Sequence, residues 1–145
     1  MKIIVDTNIL MSSILNSESR VGQMLINELD DIPKYSSYFL FVEIFDKKEK
    51  IIKYSRMEEE EVLELLFLVL KKIQFVNESQ ISDLSFEKAR ELTEDIDVKD
   101  IGFVALTIEL EAILWTGDKK LYRGLKAKGF ENVVNLEDLR EMLGK

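Results

Sequence analysis

Two aspartates follow short apolar runs of the sequence, at points where a strand is expected to end. Asp6 comes directly after Ile3–Val5, and Asp118 comes shortly after Ile113–Trp115. Sites in open α/β folds form at the carboxyl ends of the strands. If the two runs are neighbouring parallel strands, both carboxylates emerge at the same edge of the sheet and can share a site. For Asp118 the alternative is a structural one, the N-cap of the helix that follows.

Three further acids are only partly explained by packing or capping. Glu43 lies in the run FLFVEIF, where a buried carboxylate needs a partner. The alternative is that Glu43 lies on the solvent-exposed face of an amphipathic helix, near Lys47. Asp97 and Asp100 stand three positions apart where a helix begins, and Asp97 is either its cap or a metal ligand. Gly102, in a helix that glycine weakens by about 1 kcal/mol, indicates the close approach of a strand or a ligand.

Carboxylates are the chemistry that the composition leaves open. The chain has no histidine and no cysteine, which excludes disulfides, thiol nucleophiles, thiolate zinc sites, HExxH sites and Ser-His-Asp triads. Carboxylates gathered at one sheet edge repel one another, and they stay together if divalent cations such as Mg²⁺ or Mn²⁺ lie among them. Two such ions about 4 Å apart hold the attacking and leaving oxygens of a phosphoryl displacement. The sequence therefore favours phosphodiester hydrolysis, with acids as metal ligands and one of them as a proton acceptor.

Strand and helix patterns alternate along the chain, which predicts an α/β fold with a central parallel sheet of four or five strands and helices on both faces. The predicted strands are Ile3–Val5, Lys34–Ser37, Gln74–Asn77, Ala112–Trp115 and Asn132–Asn135. The predicted helices are Ile9–Leu15, Val21–Leu29, Tyr38–Tyr54, Glu58–Ile73, Ser82–Glu94, Asp100–Leu110, Lys119–Lys128 and Leu136–Leu143.

The helix predicted over Glu58–Ile73 is apolar on two faces. Val62 and Leu66 belong to one face, and Leu63 and Phe67 belong to the other. A helix of this kind is usually buried on both sides. Because a chain this small has few central helices, the second face is either ordinary core or a surface for a partner.

Composition and charge indicate the size and the surroundings of the protein. The chain has 145 residues, 46% of them apolar, with one proline and six glycines, which fits a single domain over residues 1–145. Its net charge of −8 argues against a protein that coats DNA, but bound divalent ions would reverse the local field for a short nucleic acid. No signal peptide precedes the first strand, and the most apolar run, Val62–Leu70, is too short to span a bilayer. We therefore expect a cytoplasmic protein with no membrane contact.

Four short motifs together resemble the acidic motifs of the PIN-domain family. They are VDTN at Val5–Asn8, VEI at Val42–Ile44, DVKDIGFVA at Asp97–Ala105 and WTGDK at Trp115–Lys119. They fall in the family's order and span nearly the whole chain. The first motif alone is a weak signal, but its combination with the fourth and with the acid-before-helix motif between them is specific.

The resemblance implies a three-layer α/β/α fold and Mg²⁺- or Mn²⁺-dependent cleavage of single-stranded RNA. Asn8 and Thr116 would be supporting polar residues. The PIN-domain proteins of this size resemble the toxin halves of toxin–antitoxin pairs, the VapC-like ribonucleases, which often dimerise. An RNA substrate, an antitoxin partner and a homodimer are therefore expected. By position, the acids assigned to the catalytic metal site are Asp6, Glu43, Asp100 and Asp118, with Asp97 as an accessory metal ligand.

Two basic clusters, within Lys47–Arg56 and Lys119–Lys128, are either solvated helix faces or contacts for RNA. The second cluster lies just after Asp118, where it can guide RNA phosphates towards metal ions. For base stacking, Tyr122 is a candidate.

Two other functions remain as alternatives to a nuclease. One is a PIN-like module that holds RNA or a protein without cutting. The other is a phosphatase with Asp6 as the aspartyl nucleophile. Haloacid-dehalogenase-like phosphatases require a second aspartate two positions later, where this chain has Asn8.

Overall fold

One parallel sheet of five strands forms the centre of the computed structural model, which describes residues 1–145. The strand order is β3-β2-β1-β4-β5, and every neighbouring pair is parallel. Because β1 is central and covered on both faces, its three β-branched residues are completely buried. The strands are β1 (Ile3–Val5), β2 (Lys34–Ser37), β3 (Gln74–Val76), β4 (Ile113–Trp115) and β5 (Val133–Val134).

Eight helices flank the sheet in two groups. The helices are α1 (Thr7–Leu15), α2 (Arg20–Gln23), α3 (Phe39–Ser55), α4 (Glu59–Leu70), α5 (Asp83–Thr93), α6 (Ile101–Glu109), α7 (Lys119–Ala127) and α8 (Leu136–Met142). Helices α1, α3 and α4 pack together, whereas α5 packs against α6 and α7. Since the chain reverses its direction across the sheet after β3, right-handed crossovers put these two groups on opposite faces. The result is the three-layer α/β/α arrangement that was expected.

All five predicted strands and all eight predicted helices are present, with ends that differ by a few residues. The largest local difference is in the predicted helix Val21–Leu29, which starts as α2 and continues as one π-helical turn, Met24–Glu28. The backbone of Ser17 folds so closely onto α2 that a Cβ at Gly22 would lie 2.6 Å from the Ser17 carbonyl oxygen. Glycine is therefore required within the single turn of α2.

The core is a single cluster of apolar side chains from the sheet and both helical groups. Trp115, at the end of β4, is among its largest completely buried side chains. Helix α6 lies deepest among the helices, with five consecutive buried residues from Phe103 to Thr107. None of the helices has the length and apolar character needed to cross a bilayer.

Only one of the two apolar faces predicted for the Glu58–Ile73 helix is buried. Val62 and Leu66 are in the core, whereas Leu63 is 45% exposed and Phe67 is 66% exposed. Of the two alternatives for the second face, ordinary core is therefore excluded within this chain, because no second helix lies over the outer face of α4. An apolar helix face remains open to a partner.

Candidate active site

Asp6 is held at the carboxyl end of β1 by the start of α1. Its Oδ1 accepts a hydrogen bond from the Ile9 amide at 2.9 Å, and only 3% of the residue is exposed. Burial raises the pKa of the Asp6 carboxyl to about 6, and the Thr116 hydroxyl and the Ile9 amide oppose that rise. The charges of Asp118 and Glu43 raise the pKa further. Other acids of the predicted site are therefore close enough to change the protonation of Asp6.

Glu43 reaches the same region from the first half of α3. Its Oε1 accepts a hydrogen bond from the Thr7 hydroxyl at 2.6 Å, and Thr7 directly follows Asp6 in the chain. Glu43 is half-buried and forms no ion pair with Lys47 one turn later. The geometry therefore favours a place in the acidic cluster over a place on a solvated stripe.

Asp118 caps a helix and is also a neighbour of Asp6. Its Oδ1 accepts hydrogen bonds from the amides of Lys120 at 2.9 Å and Leu121 at 3.1 Å, which makes it the N-cap of α7. Strands β1 and β4 pair in register, with Val5 opposite Trp115. The acids that follow these strands therefore leave the sheet side by side, and the N-cap role of Asp118 is compatible with a place in the predicted site.

Asp97 and Asp100 differ in what their carboxylates do. The Asp97 carboxylate accepts a hydrogen bond from the Lys99 amide at 2.9 Å and caps a short 3-10 turn, Val98–Asp100. The Asp100 Oδ2 atom is buried and has no hydrogen-bond partner. Burial is the largest cause that raises the pKa of the Asp100 carboxyl to about 7. Further increases come from the charges of Asp97, Asp6, Asp118 and Glu43.

The acids assigned to a metal site by sequence thus lie within electrostatic reach of one another. They reach the cluster from the starts of α1, α6 and α7 and from within α3. Mutual repulsion and an unpartnered buried oxygen are the features that a divalent cation would relieve. No three acidic side chains are placed to hold such an ion directly. The fit to a hard cation such as Mg²⁺ therefore rests on the unpartnered Asp100 oxygen and the carboxylate donors, and not on a preformed set of ligands.

Thr116 and Thr7 are the polar residues that support the cluster. The Thr116 Oγ1 accepts a hydrogen bond from the Asp118 amide at 3.0 Å. Asn8, the other polar residue that the resemblance implies, is exposed, and the Thr7 hydroxyl supplies a link to Glu43 that was not predicted. The signal in the sequence was a hydroxyl residue directly after the first acid.

Gly102 faces Glu78, a residue that the sequence analysis did not single out. A Cβ at this glycine would lie 3.0 Å from Glu78 Oε1. The same oxygen accepts a hydrogen bond from the Ser37 hydroxyl at 3.2 Å, which ties the end of β2 to the turn after β3. The close approach expected at Gly102 is therefore made by a side chain.

The basic helix α7 divides into a paired and an unpaired half. Lys126 forms an ion pair with Glu131 at 3.3 Å, and Lys128, just beyond the helix, pairs with Asp95. The cations without an ion pair are Lys119, Lys120 and Arg123. The unpaired cations are also the ones nearest to Asp118 in the helix, so positive charge lies beside the acidic cluster.

The fold and the cluster define a class: a parallel five-stranded α/β protein with carboxylates gathered at the carboxyl edge of its central strands. The family model described as PIN domain matches residues 4–139. The chain belongs to the PIN-domain family. No curated protein shows significant sequence similarity to it.

Three solved structures with the same fold are chains of VapBC structures. One is VapBC2 from Rickettsia felis bound to a DNA fragment from their promoter, with a TM-score of 0.66, 18% identity and coverage of 93% of this chain and 98% of that one. For DNA-bound VapBC from Salmonella typhimurium the TM-score is 0.69 and the identity 14%, with coverage of 94% of this chain and 98% of that one. For VapBC-1 from nontypeable Haemophilus influenzae the TM-score is 0.64 and the identity 16%, with coverage of 94% of this chain and 99% of that one. At these identities the likeness shows a shared fold over nearly the whole chain.

Proposed function

We propose that this protein is an endoribonuclease that cleaves single-stranded RNA with Mg²⁺ or Mn²⁺ and acts as the toxin of a toxin–antitoxin pair. The observation that carries the proposal is the convergence of four acids from separate parts of the chain, whose charges raise the pKa of Asp6 and Asp100. Repelling carboxylates without cationic partners cost stability, so their collection in one place points to a bound cation. Membership in the PIN-domain family supports the same reaction.

Asp6, Glu43, Asp100 and Asp118 are the proposed metal ligands, and Asp97 is an accessory ligand through its free carboxylate oxygen. A divalent cation bound there would supply charge neutralisation for the phosphate and would lower the pKa of the attacking water. Because no three of the acids are placed to ligate an ion directly, water molecules would link some of these carboxylates to the ion.

The protein's own residues have three tasks in this proposal. Asp100, whose buried Oδ2 has no hydrogen-bond partner, is the group placed to accept a proton. Thr7 orients the Glu43 carboxylate, and Thr116 holds the loop that carries Asp118. The unpaired cations of α7 attract RNA phosphates to the acidic edge.

An antitoxin is the proposed protein partner. The three similar solved structures described above are of VapBC, two of them bound to DNA. We infer that a small partner protein pairs with this chain in the same way, and that the chain also forms a homodimer.

Cleavage of a labelled single-stranded RNA by the Asp6→Asn variant tests the proposed reaction. We expect the wild-type protein to cut with Mn²⁺ or Mg²⁺ and to stop when the ion is chelated. The variant keeps the Oδ1 acceptor that caps α1, so we expect a folded protein without activity. Asp46→Asn, an exposed acid on α3, is the matched control and keeps full activity.

Full activity in Asp6→Asn would remove Asp6 from the mechanism. A wild-type protein that binds RNA without cutting, and that takes up no Mn²⁺ in calorimetric titration at millimolar concentration, would favour the non-cutting module instead. The two measurements together therefore separate the nuclease from the module.

A further inference from the structure

We propose that the cleft beside Asp118 binds the base of a nucleotide next to the bond that is cut, and so sets the sequence preference of the enzyme. This proposal rests on the proposed nuclease function and extends it to substrate choice. The cleft has a volume of about 360 Å³ and lies between α1, α2, the start of α7 and the start of α8. It shares Thr116, Gly117 and Asp118 with the edge of the acidic cluster.

The walls of the cleft suit a flat, mainly apolar group. Ile9, Val21 and Leu136 supply aliphatic surface, and the half-buried ring of Tyr122 supplies an aromatic one. Ligand sites are concave and mostly apolar, with a few placed polar groups, and their volumes begin near 300 Å³. Stacking of a base on an aromatic ring contributes about 1–3 kcal/mol. A nucleobase matches this lining better than a phosphate or a simple ion does.

The aromatic wall is fixed before any ligand arrives. The Tyr122 hydroxyl donates a hydrogen bond to Asp138 Oδ2 at 2.6 Å. Asp138 is in turn held by a capping box with Asn135 at the start of α8, through the Asp138 amide to Asn135 Oδ1 at 2.8 Å. A preformed wall reduces the ordering cost of binding.

The polar groups of the cleft fit a nucleotide. Lys119 and Arg123 lie on its wall and form no ion pair, so both are free to meet phosphate. The Asn135 side chain uses its oxygen in the capping box, and its amide nitrogen remains a donor for a base edge. Glu137, the other acid at the rim, is paired with Arg20 at 3.8 Å. Two cations next to an apolar slot favour RNA over a protein segment.

Titration with nucleoside monophosphates tests the cleft without any requirement for cleavage. AMP, CMP, GMP and UMP are added to the metal-free protein with a chelator, and amide signals are followed by NMR. We expect shifts at Gly117, Tyr122 and Leu136, with one base bound more tightly than the others. Val21→Trp and Leu136→Trp fill the cleft and should weaken binding by about tenfold or more.

The matched control is Ile108→Trp, which fills a different cleft of about 440 Å³ and should leave nucleotide binding unchanged. Two filling variants are used so that one of them remains if the other fails to fold, which its NMR spectrum reveals. The proposal would be overturned if no nucleotide shifts the amide signals of the cleft residues. It would also be overturned if folded Val21→Trp or Leu136→Trp binds nucleotides as tightly as the wild type does.

Cleavage of a randomised single-stranded RNA pool separates this proposal from the proposed function. With a functioning nuclease, we expect the base preference next to the cut to change in the filled variants and to persist in Ile108→Trp. An unchanged preference in the filled variants would overturn the specificity role. If the wild type cuts no RNA but the cleft still binds nucleotides selectively, the cleft stands as a nucleotide site and the nuclease proposal fails.

Discussion

Ionisation of Asp6 and Asp100 destabilises the folded chain. Their pKa values are raised from 3.8 to about 6 and about 7, so the folded state binds these protons more tightly than the unfolded state does. The penalty is absent below the unfolded pKa, grows as pH rises, and is complete above the folded pKa. We therefore expect the free energy of unfolding of the metal-free protein to fall between about pH 4 and about pH 7, as measured by urea denaturation with a chelator.

The Asp6→Asn variant tests the physical cause of this pH dependence. The amide keeps the acceptor for the Ile9 N–H but carries no charge, so the variant should be more stable than the wild type at about pH 8, by a difference on the order of 3 kcal/mol, and similar to it at about pH 4. Asp46→Asn removes an exposed charge and should show no such pH-dependent gain. If Asp6→Asn is equally destabilising at both pH values, the cost does not come from the buried charge.

Thr7 is predicted to orient Glu43, and the change Thr7→Val removes only the hydroxyl that donates to this carboxylate at 2.6 Å. Partners that orient metal ligands typically contribute 10- to 100-fold in affinity, so we expect Mn²⁺ binding to weaken by about tenfold. Calorimetric titration measures this loss. Thr7→Ser restores the hydroxyl and should restore the affinity, which a purely structural role of the threonine methyl group would not do.

Four of the five predicted site acids stand at recognisable places in the sequence, whereas Glu43 was assigned through the resemblance to the PIN-domain family. Asp6 and Asp118 follow apolar strands, and Asp97 and Asp100 precede a helix. The bond between Thr7 and Glu43 could not be found in this way, because it depends on how α1 packs against α3. The resemblance named Asn8 and not Thr7, because the sequence shows which residues follow the acid but not which side of the helix faces the cluster.

At the scale of elements, α7 carries cations with different tasks. The unpaired Lys119 and Arg123 are expected to contact RNA phosphates, and each alanine substitution should weaken binding of single-stranded RNA several-fold. Each should also reduce the slope of log affinity against log salt by about 0.7. Fluorescence anisotropy of a labelled RNA with the inactive Asp6→Asn protein, at several salt concentrations, measures both effects.

Lys128 is the control within the same basic cluster. Its ammonium donates to the carbonyls of Glu91 and Leu92 and pairs with Asp95, so its task is to join the end of α7 to the end of α5. Lys128→Ala should lower the melting temperature and leave RNA affinity and its salt slope unchanged. A loss of RNA binding as large as that of Arg123→Ala would show that the cluster acts by overall charge and not by position.

The division of the basic cluster into paired and unpaired cations shows a limit of prediction at the scale of elements. The sequence shows ten positive charges in two runs but not their partners. Glu131 is near Lys126 in the chain, whereas Asp95 reaches Lys128 only because α5 and α7 pack side by side. Helices and strands follow from local patterns, but ion pairs between them follow from the packing.

At the scale of the whole molecule, the alternation of strand and helix patterns was enough to predict a parallel α/β fold. A strand that is apolar on both sides must be covered on both faces, and the apolar face of each helix provides that cover. The central place of β1 also followed, since Ile3–Val5 is apolar on both sides. The outer face of α4 was not settled by this logic. Its apolar residues have the pattern of a core helix, and only the packed chain shows that Leu63 and Phe67 remain exposed.

The exposed face of α4 is the expected homodimer surface. Helix α4 has three glutamates in its first turn, Glu59–Glu61, and Lys71 follows its end, where the ammonium lies 5.6 Å from the Phe67 ring centroid. If two copies pair about a two-fold axis with antiparallel α4 helices, the acidic start of each helix meets the basic end of the other, and Phe67 lies in the contact. The charges and the apolar face therefore favour the same arrangement.

Light scattering coupled to size exclusion tests this arrangement, with a protomer mass of 16.9 kDa as the reference. We expect a dimer for the wild type and a monomer for Phe67→Lys, because a buried lysine without a partner opposes association more than the lost apolar contact alone. Leu84→Lys, at a residue that is 61% exposed on α5, is the matched control and should remain dimeric. A wild-type monomer would exclude α4 as a self-association surface, and a dimeric Phe67→Lys variant would place the dimer contact elsewhere. In both cases the apolar face of α4 would be left for a different protein.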